Sequence, residues 1–104
     1  MYHMKELKNI ILKGKKMKIK EGFLLREVAG SNIVVPVGDV QIDFNGMMTL
    51  NTVGAFVWKL LENDITEDCL VDAVTKEYDI DLETAKRDVS VYINKLREKG
   101  IIEG

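Results

Sequence analysis

Apolar and β-branched residues alternate with polar ones between Phe23 and Leu50, in short runs separated by turn signals. This period of two predicts strands near residues 23–28, 33–37, 40–43 and 47–50. The turn signals are Gly30-Ser31-Asn32, Gly38-Asp39 and Asn45-Gly46. Because Pro36 has no backbone N–H, the second strand is expected to bulge or to leave its pairing there.

The last two predicted strands are expected to form a hairpin. A two-residue Asn45-Gly46 turn would mix the two faces, whereas a loop of Phe44, Asn45 and Gly46 keeps apolar residues together. With that loop Ile42 faces Met48 and Val40 faces Leu50, and Gly46 takes a left-handed conformation. Met47 and Thr49 then lie on the wetter face.

After Asn51 the apolar spacing changes to the period of a helix. We predict helices over about 52–62 with Asn51 as N-cap, from the Thr66 N-cap onward, and from the Asp81 N-cap to about Lys99, with Gly100 as the stop. The predicted core-facing residues are Val53, Phe56, Val57, Leu60 and Leu61, then Leu70, Ala73, Val74 and Tyr78, then Leu82, Ala85, Val89, Tyr92, Ile93 and Leu96. Trp58 is off this spacing and is expected to cover the sheet.

Strands followed by helices predict an α+β fold, a small antiparallel sheet of three to four strands followed by a three-helix bundle. A length of 104 residues favours one such domain. The one boundary expected is near Lys16, between a basic N-terminal arm at 1–16 and a domain at 17–104.

Charge is distributed unevenly along the chain. The formal net charge is −2, yet residues 1–20 carry seven lysines against Glu6 alone, which leaves the rest of the chain at −8. Because nucleic-acid affinity rests on cations that neutralise phosphates, an acidic domain is a poor DNA binder. No apolar run approaches the roughly 20 residues of a membrane span, so we expect a cytoplasmic protein without a membrane or nucleic-acid partner.

Few residues offer chemistry. His3 is the one histidine and lies in the basic arm, and Cys69 is the one cysteine. Acidic neighbours Asp68 and Asp72 disfavour a reactive thiolate, and packing near the second helix is expected to keep Cys69 an inert thiol. The remaining acidic clusters read as helix caps. We therefore expect no catalytic residue, metal or cofactor.

Several linked motifs resemble those of the PqqD family. They are Leu50-Asn51-x-x-Gly54-Ala55-x-x-Trp58-x-Leu60-Leu61, Thr66-Glu67, Glu77-Tyr78-Asp79, Arg87-Asp88-Val89, Leu96 and Gly100-Ile101-Ile102. The resemblance covers about residues 17–104 and implies a winged-helix-like arrangement. It also implies a non-catalytic recognition element and peptide chaperone, which binds the leader of a ribosomally made precursor peptide and presents it to a modifying enzyme, often a radical-SAM enzyme.

In that family the leader adds as a strand beside the last strand before the helices, against the third helix. The matching strand residues here are Met47, Met48, Thr49 and Leu50, and the matching helix face lies within 84–95. From that helix we expect Val91 to give an apolar contact and Arg87 and Lys95 to hold acidic leader residues. The alternatives are a winged-helix nucleic-acid-binding protein, which the acidic domain weakens, and a carrier-type protein, which the lack of an Asp-Ser-Leu site weakens.

Overall fold

The computed structural model describes residues 15–38 and 48–103. These residues form six strands, β1 (Lys16–Ile19), β2 (Phe23–Val28), β3 (Ser31–Pro36), β4 (Met48–Leu50), β5 (Ile65–Thr66) and β6 (Ile102–Glu103). They also form three helices, α1 (Thr52–Leu61), α2 (Glu67–Tyr78) and α3 (Leu82–Glu98). The predicted α+β class, with a sheet followed by a three-helix bundle, is confirmed.

The first sheet is antiparallel, with the order β2, β3, β4. Val34 lies opposite Met48, and Asn32 lies opposite Leu50. In β4 the buried Leu50 and half-buried Met48 face the core while Thr49 is exposed, as the alternation predicted. The predicted strand 40–43, its hairpin and the left-handed Gly46 lie outside the described residues.

The turn between β2 and β3 differs from the prediction. The sequence suggested Gly30-Ser31-Asn32, but Ser31 already pairs with Val28, which leaves Ala29 and Gly30 as a two-residue turn. Both residues have positive φ, 52° and 83°. Two left-handed residues give a turn whose twist matches that of the flanking strands, so β3 begins at Ser31 and runs to Pro36.

A second sheet was not predicted. Its order is β5, β1, β6, so the central strand is β1. The side chains of Met17 and Ile19 are buried and those of Lys16 and Lys18 are exposed, which is the alternation of a half-buried strand. This strand begins at Lys16, the last residue of the predicted arm, and its lysines made it hard to recognise in the sequence.

The three predicted helix caps are confirmed. The Gly54 N–H donates to Asn51 Oδ1 at 2.7 Å, and the Cys69 N–H donates to Thr66 Oγ1 at 3.2 Å. The Thr84 hydroxyl donates to Asp81 Oδ1 at 2.7 Å and the Thr84 N–H donates to Asp81 Oδ2 at 3.2 Å, and these two hydrogen bonds lower the pKa of the Asp81 carboxyl. Helix α3 ends at Glu98, with Lys99 as its C-cap, and Gly100 follows with φ 72°.

One core joins the two sheets to the helices. Trp58 is completely buried, so it belongs to the core rather than to a ligand site. Leu82 was predicted to face this core and does not, since it is 54% exposed at the first turn of α3. None of the helices in residues 15–38 and 48–103 is long and apolar enough to cross a membrane.

The turn conformation makes a stability prediction. A side chain in the left-handed region costs roughly 1–2 kcal/mol, and asparagine tolerates that region better than alanine. We therefore expect Ala29→Asn to raise the free energy of unfolding by about 0.5–1 kcal/mol in urea denaturation. The matched change Gly30→Ala should lower it by about 1 kcal/mol, and an unchanged or lower stability of Ala29→Asn would contradict the assigned turn.

Candidate functional site

The end of β4 and the start of α1 are held against α3. Asn51 joins β4 to α1 and caps the helix. The Tyr92 hydroxyl on α3 donates to the Gly54 carbonyl oxygen at 2.8 Å, across 38 residues of sequence. A Cβ on Gly54 would lie 3.4 Å from Tyr92 Cε1 and 3.1 Å from Asn51 Oδ1. Glycine at this position therefore leaves room for the Asn51 cap, while a Cβ would meet Tyr92 only at ordinary contact distance.

Two hollows adjoin above this contact. The smaller, of about 170 Å³, lies beside β4 and is lined by Met48, Thr49, Leu50, Lys95 and Leu96. The larger, of about 360 Å³, lies farther along α3 and has mainly apolar walls, from Val53, Val57, Val74, Ile80, Val89 and Val91. Both are also lined by Asn51, Gly54 and Tyr92. Together they make one groove, which we call the α3 groove.

The structure brings six of the seven predicted site residues to this groove. Met48, Thr49, Leu50 and Lys95 line the smaller hollow, and Arg87 and Val91 line the larger. Met47, the seventh, lies outside the described residues. This placement does not show that the groove binds a peptide, so peptide binding stays a prediction.

Exposure determines what each strand and helix residue offers. Val91 is 61% exposed, as predicted, and gives the groove an apolar wall open to solvent. The Leu50 side chain is only 7% exposed and belongs to the core. A ligand therefore meets Leu50 through its backbone, and meets Met48 partly through its side chain.

The charges lie at the rim of the groove. Arg87 Nε is 3.8 Å from Asp88 Oδ1, and both side chains are largely exposed. Lys95 lines the other end and makes no ion pair with any described residue. Surface ion pairs contribute only about 0–1 kcal/mol, so these groups orient a ligand more than they hold it.

Sequence reasoning did not identify the floor of the groove. Tyr92 was predicted as a core residue, and Asn51 as a helix cap only. Gly54 could have indicated a close contact at this point of α1, because glycine in a helix costs roughly 1 kcal/mol of stability relative to alanine.

Metal-ligating side chains are not clustered in the described part of the chain. No group of three His, Cys, Asp or Glu side chains in residues 15–38 and 48–103 is placed to hold a metal ion. Cys69 is free and exposed, so the predicted packing around it was wrong. Cys69 lies in the first turn of α2, and its side chain faces solvent. His3 lies outside the described residues.

One protein-family model matches most of the chain. The family model described as "Coenzyme PQQ synthesis protein D (PqqD)" matches residues 25–102. No curated protein sequence matches the chain. The structure of TbiB1 in complex with the TbiA(beta) leader peptide is similar, with TM-score 0.67, 26% identity, and coverage of 84% of this chain and 95% of that one.

Two further solved structures share the fold. One is a lasso peptide synthetase B1 complexed with the leader peptide, with TM-score 0.67, 16% identity, and coverage of 85% and 98% of the two chains. The other is the solution structure of the PqqD truncation of Methylobacterium extorquens PqqCD, described as a stand-alone recognition element for ribosomally synthesised and modified peptides. Its TM-score is 0.66 at 16% identity, and the alignment covers 86% of this chain and 89% of that one.

The Tyr92 contact predicts a pH-dependent stability. Burial raises the pKa of Tyr92 above its ordinary value. Above about pH 10 the Tyr92 hydroxyl therefore loses its proton in the unfolded chain but keeps it in the folded chain. The contribution of this hydroxyl to stability is complete below that pH and is lost as the pH rises further. Tyr92→Phe should cost about 1 kcal/mol at pH 7 through the lost hydrogen bond.

Urea denaturation of both proteins at pH 7, 10 and 11 tests this expectation. The advantage of the wild type over Tyr92→Phe should shrink above pH 10, by up to about 1.4 kcal/mol per pH unit. A constant difference across this range would contradict it. Tyr78→Phe, which removes a hydroxyl outside the groove, is the matched control at pH 7 and is expected to cost less.

Proposed function

This chain belongs to the PqqD family, and on that basis we propose that it binds the leader segment of a ribosomally synthesised precursor peptide and delivers it to a modifying enzyme. The protein acts in this proposal without catalytic residues or cofactors of its own. It makes the peptide available in an extended conformation. Similarity to leader-bound TbiB1, at 26% identity over most of both chains, supports the assignment.

The observation that carries the proposal is the position of a strand beside an apolar groove. Within the described residues β4 pairs with β3 alone. An extended peptide that pairs with the other edge of β4 forms main-chain hydrogen bonds, which give affinity with little demand on sequence. The smaller hollow of the α3 groove lies beside this strand.

Selectivity comes from the larger hollow. Three residues of β4 span only about 10 Å, so the peptide extends beyond Asn51 and along α3. There its apolar side chains meet Val91 and the walls of the larger hollow. Complete burial of one Val, Leu, Ile or Phe side chain is worth about 1.5–3 kcal/mol, which exceeds the contribution of an exposed ion pair. Apolar anchors therefore dominate the affinity.

The basic groups at the rim orient the peptide. Lys95 lies beside β4 and Arg87 lies beside the larger hollow, so the two cations are at opposite ends of the groove. Acidic leader residues near these two points favour one direction of binding. The proposed enzyme that receives the peptide is of the radical-SAM class, on the family resemblance given above.

Backbone amide shifts test the binding site. We expect titration of labelled full-length protein with the leader of the precursor encoded beside its gene to perturb residues 48–50 and 84–95. Perturbations confined to residues 1–16 or to α1 would contradict the site. Absence of binding to every co-encoded peptide would contradict the function, and a salt-dependent DNA complex or an attached pantetheine arm would favour the alternatives.

A pair of substitutions on one helix tests the apolar anchor. Val91→Glu places a charge on the wall of the larger hollow, and we expect leader affinity to fall at least tenfold in calorimetric titration. Leu82→Glu is the matched control, because Leu82 is similarly exposed on α3 but does not line the groove. Its affinity should stay within twofold of the wild type. Equal affinities of the two variants would remove Val91 from the site.

A further inference from the structure

The outer face of the first sheet is unusually apolar. Residues of β2 that point away from the core are Leu24, Arg26 and Val28, and their cross-strand neighbours on β3 are Val35, Ile33 and Ser31. Leu24 is 41% exposed and Val28 is 55% exposed, and both β3 apolar side chains are only half-buried. Contiguous exposed apolar surface with a polar rim marks sites of protein interaction.

One cation lies in the middle of this face. Arg26 is between Leu24 and Val28 along β2 and directly opposite Ile33. Its side chain is exposed and makes no ion pair with any residue in 15–38 or 48–103. A guanidinium surrounded by apolar side chains matches a carboxylate set in an apolar surface, because water is excluded around such a pair and the fork geometry fits the acid.

We propose that this outer face is the docking surface for the modifying enzyme, through an apolar patch of that enzyme that presents an Asp or Glu side chain to Arg26. The proposal rests on the proposed function, since it names the second partner of a peptide-delivering protein. The outer face has Leu24, Arg26, Val28, Ile33 and Val35 as its members. None of them lines the α3 groove.

The charge of this face disfavours two other occupants. A second copy would bring one Arg26 toward the other across a twofold axis. Residues 1–14 carry Lys5, Lys8 and Lys13 against Glu6 alone, so they share the sign of Arg26 and bring no surplus of carboxylates to pair with it.

The connection between β3 and β4 contains Asp39 and Asp43, whose charge is opposite to that of Arg26, but it leaves the sheet at the end away from Val28. It leaves after Pro36, which pairs with Phe23, whereas Val28 lies at the opposite end of β2. Six strand residues separate these ends by about 17 Å. Val28 is therefore the member of the outer face farthest from the point where this connection leaves the sheet.

The two partners would bind side by side. Thr49 of β4 lies directly opposite Ile33, so the outer face continues onto β4. A leader strand added to β4 places alternate side chains on that same face beside Thr49, with β4 between them and Ile33. Leader and enzyme should therefore raise each other's affinity by the same factor, because coupling between binding sites is reciprocal.

Two variants of the outer face test the proposal. The probe is the purified modifying enzyme encoded beside this chain's gene, and its affinity is measured by interferometry with and without saturating leader. Arg26→Glu should weaken enzyme binding at least tenfold and Val28→Thr about threefold or more. Both should bind the leader within twofold of the wild type. Lys59→Glu, a charge reversal on exposed Lys59 of α1, is the matched control and should leave both affinities unchanged.

Several results would overturn the docking surface. Enzyme affinity within twofold of the wild type for both variants would do so directly. A monomer–dimer equilibrium that shifts with Arg26→Glu in sedimentation would assign the face to a second copy. Arg26→Glu could also lower the melting temperature, and Asp43→Lys added to it could restore that temperature. Such a result would assign the outer face to the chain's own β3 to β4 connection. Failure of the wild type to bind any leader would instead contradict the proposed function, which is measured separately.

Discussion

The close approach of Tyr92 to the first turn of α1 sets the position of α3 beside β4, and the α3 groove depends on that position. The approach rests on the hydrogen bond from the Tyr92 hydroxyl to the Gly54 carbonyl oxygen, and a side chain at 54 would crowd Asn51 Oδ1 more than it would crowd Tyr92. Asn51 adds a constraint, because its side chain caps the same turn. Three residues on two elements thus determine both the floor of the groove and the distance between its walls.

The two faces of the short strand β4 have different environments. Leu50 and Met48 anchor it to the core, and Thr49 points outward. This anchoring holds the strand rigidly, although it has only three residues and pairs with one strand among the described residues. A rigid edge suits strand addition, since the peptide then bears the ordering cost alone and the protein bears little of it.

The placement of charge follows the same logic. The chain is acidic beyond its first twenty residues, yet cations occur at both ends of the α3 groove and in the middle of the outer face. In the proposed complexes, acidic groups elsewhere on the domain would repel acidic peptides and proteins from wrong positions, while Lys95, Arg87 and Arg26 would attract them to particular points. The apolar surfaces beside these cations would supply the binding energy.

The sequence alone determined the features that depend on neighbours a few residues away. The caps at Asn51, Thr66 and Asp81, the three helices and the alternation of β4 were all readable, because each rests on hydrogen bonds or side-chain spacing within a few positions. The family motifs also pointed to β4 and α3 as the elements of a site. At the first turn of α3 the apolar spacing wrongly predicted that Leu82 faces the core, because no described element covers that turn.

Only the tertiary structure decided which distant elements meet. The alternation of Met17 and Ile19 with lysines became a strand through pairing with β5 and β6, which lie far along the chain. In the same way Tyr92 looked like one more core residue until its hydroxyl was found on Gly54, and the outer face emerged only from the register of β2 on β3. Long-range pairing depends on the relative positions of whole elements, and no spacing within a single segment encodes them.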